Sequence, residues 1–267
     1  MSRFLNLTSD ELYRSRHYFL GIVLFVLVGE GIGAIHFLYN FTHSDYASGM
    51  TFHLIQLFDA TMPFFFTLAG AIMAMLIYCI ISWQRESTGK SRFMYRLLTL
   101  PGNRLSIPLA KITSILLMIF GLLFLQLVIY EGAHLLCQLF YPGQYQTTQI
   151  TDVFLQRTYF NPISLVIFPY SLPTFLIYYG WGTNFLFLLF NVLTMWQGLQ
   201  YRSWIVRMGL PLVYEVMGVG ISAVIVWLGS FYLTPGEMQW LNGLLILVIG
   251  AFQLLLMKYL MDHTMTV

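Results

Sequence analysis

Carboxylates and imidazoles set inside otherwise apolar stretches are the residues of this sequence best placed to do chemistry. Glu30, Glu131 and Glu215 fall in or near long hydrophobic runs, where a carboxylate costs about 2.5 kcal/mol or more unless it is paired, protonated or wetted. Glu131 and His134 stand three apart, on one face of a helix, and His36 follows Glu30 in the same run. If the helices that carry them touch, Glu30, His36, Glu131 and His134 form one polar cluster able to hold a cationic substrate or relay protons. The other reading of the same residues is hydrogen-bonded glue between membrane helices. Glu-x-x-His also resembles part of a helical carboxylate metal centre, but such centres need several such pairs and the HExxH motif is absent, so no metal ligand is assigned. An intramembrane enzyme or metal-dependent protein built on those four residues stays open as the alternative function.

Other reactive types carry less. Cys79 and Cys137 both lie in apolar runs and read as small buried hydrophobes, neither a disulfide framework nor a redox pair. Thr88, Gly89, Lys90 and Ser91 imitate the end of a phosphate-binding loop, yet Gln84 stands where its first glycine belongs and an apolar span precedes it. Glu215, after Pro211, is expected to face Arg202 and Arg207 as an ordinary ion pair at the membrane edge.

The elements that position these residues follow from composition. The 267 residues are 58% hydrophobic and only 9% charged, too little charge to clothe a water-soluble domain. A formal charge of +2 gives no reason to expect a nucleic-acid partner. About 20 apolar residues cross a hydrocarbon core, and the runs predict spans over 18–38, 60–82, 108–130, 208–230 and 240–260. The stretch 161–200, with Pro162, Pro169 and Pro173, is long enough for one span or two. One span over 177–199, with the N-terminus in the cytoplasm, leaves every Lys and Arg but Arg157 on the inner side. Two spans would put Arg202, Arg207 and Lys258 outside, against the positive-inside bias.

The expectation is therefore an all-α membrane protein of one domain, with six transmembrane helices and both ends in the cytoplasm of a cell. Residues 131–176 form an outer segment, and the proline-rich 161–174 is either an interfacial or re-entrant piece or the kinked start of the fourth span. Residues 1–17 read as an amphipathic helix lying in the inner interface, with Thr8 or Ser9 capping its main turn and Asp10 and Glu11 near the positive end of its dipole. Aromatic residues crowd the outer half around the fourth span, as a membrane belt or as an adaptable apolar surface for flexible cargo.

The most informative loop is 83–107, between the second and third spans. Phe93, Met94, Leu97, Leu98 and Leu100, set among Arg92 and Arg96, fall on one face of a short helix. Pro101, Gly102 and Asn103 end it, and Pro108 suits the first turn of the next span. An amphipathic helix there can press an apolar knob into a partner while its arginines fix register on carboxylates.

At this loop the sequence resembles the ABC type-2 transporter permeases, through Arg85, Glu86, Gly89, Leu97, Leu98, Leu100, Pro101, Arg104 and Lys111. It departs from their pattern where Lys90 to Tyr95 is more basic and aromatic, and where the last outer hairpin, Phe231 to Gln239, is short. The resemblance implies a transmembrane subunit of an ABC exporter, not itself an enzyme, whose loop is a coupling helix. Arg85, Glu86, Arg92, Phe93, Arg96, Leu97, Leu98, Pro101 and Arg104 would then dock on a separate ATPase subunit. ATP and magnesium would sit on that partner, with no cofactor on this chain. A second permease chain, the same or related, would complete the pathway, and Glu30, His36, Glu131 and His134 would border it.

Overall fold

A computed structural model describes residues 2–43, 51–59, 62–88, 104–146, 169, 171–198 and 204–263. Among them the chain is helical, with one isolated bridge between Phe52 and Tyr145. In chain order the helices are α1 (Ser2–His43), α2 (Leu54–Asp59), α3 (Met62–Thr88), α4 (Ser106–Phe140), α5 (Leu172–Gly198), α6 (Trp204–Tyr232) and α7 (Pro235–His263). Five of them, α1, α3, α4, α5 and α7, are long and apolar enough to cross a membrane. Within the 29-residue α6, the apolar stretch Gly220–Tyr232 is shorter. Large apolar side chains face outward along these helices, among them Leu24, Phe124, Leu247 and Leu255. The protein is accordingly membrane-embedded, since hydrocarbon tolerates such side chains and requires backbone groups to bond within each helix.

The helix ends show where local chemistry overrules hydropathy. The expected interfacial piece 1–17 and first span 18–38 are one uninterrupted helix of 42 residues, about 63 Å long and so about twice the hydrocarbon thickness. No glycine or proline breaks residues 2–20. Neither Thr8 nor Ser9 caps a turn: the helix already runs from Ser2, and Thr8 Oγ1 donates to Phe4 O inside it. Thr8, Glu11 and Ser15 are buried, with Phe4, Leu7 and Leu12 half-buried beside them, while Leu5, Asp10, Tyr13, Arg14 and Arg16 are exposed, so the face turned into protein is mixed and carries three polar side chains.

Proline and hydroxyl residues set the other starts. Pro108 lies in the first turn of α4, where a missing N–H costs nothing. That helix continues ten residues past the expected 130 and so carries Glu131 and His134. The fourth long helix begins at Leu172, ahead of the expected 177, with Pro173 in its first turn and Ser171 Oγ accepting from Thr174 N at 3.4 Å. Residues 161–168 of the proline-rich piece lie outside the described residues.

α7 starts with a capping box. Glu237 Oε2 accepts from Thr234 N at 2.8 Å and from Thr234 Oγ1 at 2.8 Å, and Glu237 N donates back to Thr234 Oγ1 at 3.5 Å. With Pro235 as the first helical residue, only Leu233 and Thr234 connect α6 to α7. Thr234→Ala is expected to lower stability by about 1 kcal/mol in detergent unfolding experiments.

Two compact units divide the chain. Unit 1 comprises Met1–Glu11, Cys79–Ser114 and Ser171–Val267, and unit 2 comprises Leu12–Tyr78 and Ile115–Tyr170. In unit 2, α1 and α3 run antiparallel: Tyr18 stacks on Tyr78 with centroids 5.0 Å apart, Phe25 lies over Gly70, and Gly29 meets Thr67. A side chain on Gly29 would overlap Thr67, so the small residue is what permits this approach. α4 runs parallel to α1, through Phe19 over Gly121 and then Glu30 on Gln126. One end closes in an aromatic cluster of Phe37, Phe41, Phe52, Tyr141 and Tyr145, pinned by Phe52 N to Gln144 O at 2.9 Å and Gln146 N to Phe52 O at 3.1 Å.

In unit 1, α5 and α7 pack in parallel along a polar seam. Trp181 Nε1 donates to Asn242 Oδ1 at 3.3 Å, Asn184 Nδ2 to Ile246 O at 3.0 Å, and Asn191 Nδ2 to Gln253 O at 3.1 Å. Asn184 and Asn191 are seven apart, as are Ile246 and Gln253, so the bonds repeat along one face of each helix. Trp83, fully buried near the end of α3, meets Phe190 of α5 edge-on with centroids 5.5 Å apart.

Candidate functional site

Lys111 sits one and a half turns into α4, and its place in the sequence says nothing of a partner. Its Nζ donates to Glu11 Oε1 at 2.7 Å and to Ser82 O at 3.4 Å, which joins α1, α3 and α4 at one point in unit 1. The side chains of Lys111 and Glu11 are only 2% and 8% exposed. Burying the two charges is unfavourable by several kcal/mol per ion, so the geometry has to be good for the pair to persist. Helix periodicity supplies it: Thr8, Glu11 and Ser15 recur at three and four residues and bury one side of α1. Ser114 Oγ donates to Lys111 O at 2.8 Å and Ser82 Oγ to Cys79 O at 3.0 Å, so the flanking hydroxyls are bonded within their own helices.

This junction lies beside both flanks of the loop singled out above. Arg85, three residues after Ser82, is exposed near the end of α3. Arg104 is half-buried in the turn before α4, where Arg104 O accepts from Ile107 N at 3.2 Å. The side chain of Glu86 and all of Arg92, Phe93, Arg96, Leu97, Leu98 and Pro101 lie outside the described residues, as do the side chains of Glu215 and Arg207 and all of Arg202.

The four residues expected as one polar cluster find different partners. Glu30 is buried and accepts a hydrogen bond from Gln126 Nε2 of α4. His36 is exposed, with Asn40 Nδ2 at 3.4 Å from its ring. His134 bonds Tyr145 Oη through Nδ1 at 2.6 Å and Gln138 Nε2 through Nε2 at 2.9 Å. Glu131 is exposed, but it lies close enough to Tyr145 to act on it electrostatically. Burial first, then the neighbouring Cys137 and Glu131, push the Tyr145 phenol up to about 12, so it keeps its proton across the physiological range.

The single cluster is thus replaced by two arrangements. One is a Glu30–Gln126 pair inside the helices, and the other a His134–Tyr145 pair that holds the turn after α4. The correction has a plain cause: Glu30 is met by the residue one helical turn before Tyr130, leaving Glu131 on a different face of α4. Among the described residues no three His, Cys, Asp or Glu side chains converge as a metal would require.

Gln126, Asn184 and Asn191 carry no charge and stand outside the site expected from the sequence. Uncharged amides inside apolar spans were the available signal, since each needs a partner in hydrocarbon. The Glu11–Lys111 pairing left no such signal, because its members are 100 residues apart. Compared with known proteins, the chain matches no family model, no curated protein and no solved structure.

Proposed function

We propose that this chain is the permease subunit of an ABC exporter, which moves an amphipathic peptide, antibiotic or lipid-like substrate while a separate subunit hydrolyses ATP. The observation that carries this reading is the buried Glu11–Lys111–Ser82 junction, placed between the two flanks of the 83–107 loop. A partner that pushes on the loop acts on α3 and α4, and the junction ties both to α1, so the helices respond together instead of the loop bending alone. The loop's own resemblance, from Arg85 to Lys111, agrees with that use.

Six crossings, with the N-terminus, the loop and the C-terminus on the cytoplasmic side, are part of the same proposal. Support comes from helix direction: α1 and α4 are parallel, α3 opposes α1, and α5 and α7 are parallel, which agrees with a return crossing by α6 between them. The near-exclusive placement of Lys and Arg on that side supports this orientation. The enzyme or metal alternative needed Glu30, His36, Glu131 and His134 in one place, and their separate partners do not favour it.

The test is purification of the chain from its native membrane in mild detergent with assay for a bound ATPase subunit, followed by charge reversal of Arg92 and Arg96. ATPase co-purifies and hydrolysis persists in the variant, while transport falls by roughly 5–150-fold, the range of typical coupling free energies. No bound ATPase, or unchanged transport after reversal, contradicts the proposal.

A further inference from the structure

The Glu30–Gln126 pair has fewer donors than its geometry requires. Glu30 is 2% exposed and Gln126 4% exposed. One bond joins them, Gln126 Nε2–H to Glu30 Oε1. Glu30 Oε2 and Gln126 Oε1 have no hydrogen-bond partner among the described residues. Both are acceptors when the carboxyl is ionised, and two buried acceptors left unpaired beside each other are strongly unfavourable.

Among the described residues of α1, α3 and α4 no compensating cation lies near the pair. Glu30 is the only titratable residue on α1 between Tyr18 and His36, none occurs on α4 between Lys111 and Tyr130, and none on α3 between Met62 and Tyr78. Lys111 itself is engaged by Glu11 in the other unit. Thr67, which packs at Gly29, gives its hydroxyl to Pro63 O at 2.7 Å and so does not turn it to Glu30.

We propose that Glu30 and Gln126 form a proton-binding site, in which the Glu30 carboxyl is held as the neutral acid and its Oε2–H donates to Gln126 Oε1. The two side chains then close a ring of two hydrogen bonds, amide N–H to acid C=O and acid O–H to amide C=O. One proton satisfies both orphaned oxygens and removes the buried charge. Gln126 is a positioning residue in this arrangement. The site does not depend on the exporter reading, because it concerns only the protonation of one side chain in the resting protein.

Infrared spectroscopy reads that state directly. Purified chain in lipid nanodiscs, near neutral pH and without added metal, is compared with Glu30→Gln. The proposal expects the difference spectrum to show loss of a protonated-carboxyl C=O stretch that moves to lower frequency in D2O. In Gln126→Leu the band persists and shifts upward, because the acid has lost its amide partner. Loss of the two carboxylate stretches in Glu30→Gln instead would overturn the proposal. Wild-type protein alone gives a second reading: strong alkalinisation converts the acid band into carboxylate stretches, and a spectrum with no acid band to convert also overturns the assignment. Glu30→Gln should keep the wild-type unfolding midpoint, since its amide N–H donates where the acid O–H did, whereas a large drop in that midpoint argues against the ring.

Discussion

Lys111→Met is expected to destabilise the protein by roughly 3–5 kcal/mol, because it leaves the Glu11 carboxylate buried without its cation. Glu11→Leu should cost a similar amount by stranding the ammonium. The double variant, Glu11→Leu with Lys111→Met, is expected to recover most of the loss, since a well-packed apolar pair avoids desolvating either charge. The measurement is a double-mutant cycle in denaturant unfolding, which isolates the pairwise contribution. Single variants within about 0.5 kcal/mol of wild type would mean that the junction bears no strain and cannot transmit motion from the loop. The double variant also separates two roles: if it restores stability and abolishes transport, the charges matter to function beyond holding the helices.

The second large effect falls on the α5–α7 seam. A Cβ on Gly250 would lie 2.8 Å from Asn184 Oδ1, and Asn184 simultaneously donates to Ile246 O. Gly250→Val therefore displaces Asn184, breaks its bond and holds the two helices apart. The combined overpacking and lost bond are expected to cost about 3 kcal/mol. Asn184→Ala should relieve the clash but not replace the bond, so the Gly250→Val and Asn184→Ala double variant is less destabilised than the sum of the two changes. Strict additivity would show that the seam does not pack as described.

Hydropathy makes the long helices legible because hydrocarbon imposes one rule on every crossing. It places α3 and α7 close to their expected ranges but stops short on α4, whose helix runs on through Glu131 and His134 to Phe140. A helix need not end where the membrane does. For the same reason the expected break between 17 and 18 is absent: amphipathic and apolar stretches differ in environment, and nothing in Arg14 to Leu20 interrupts their shared backbone bonding. Thr234-Pro-Gly-Glu237, by contrast, is a start signal that works through local bonding alone.

The site is less legible than the fold. Glu30 draws attention as a carboxylate in an apolar run and is buried, but its partner is an amide and not the histidine or second carboxylate that reactivity suggests. Position in the N-terminal segment points Glu11 to a helix dipole, while its structural use is set by Lys111, 100 residues away. Pairings across such separations depend on which helices pack, and periodicity within one segment does not encode that.

Sidedness of the loop is the most direct test of the account. Cys79 and Cys137 are buried, so single cysteines placed at Arg96 and Gly236 report access to an impermeant thiol reagent with little background. Gly236→Cys is predicted to react on intact cells, and Arg96→Cys only after the membrane is opened. Labelling of Arg96→Cys from outside would contradict the topology, and with it any part for a cytoplasmic ATPase.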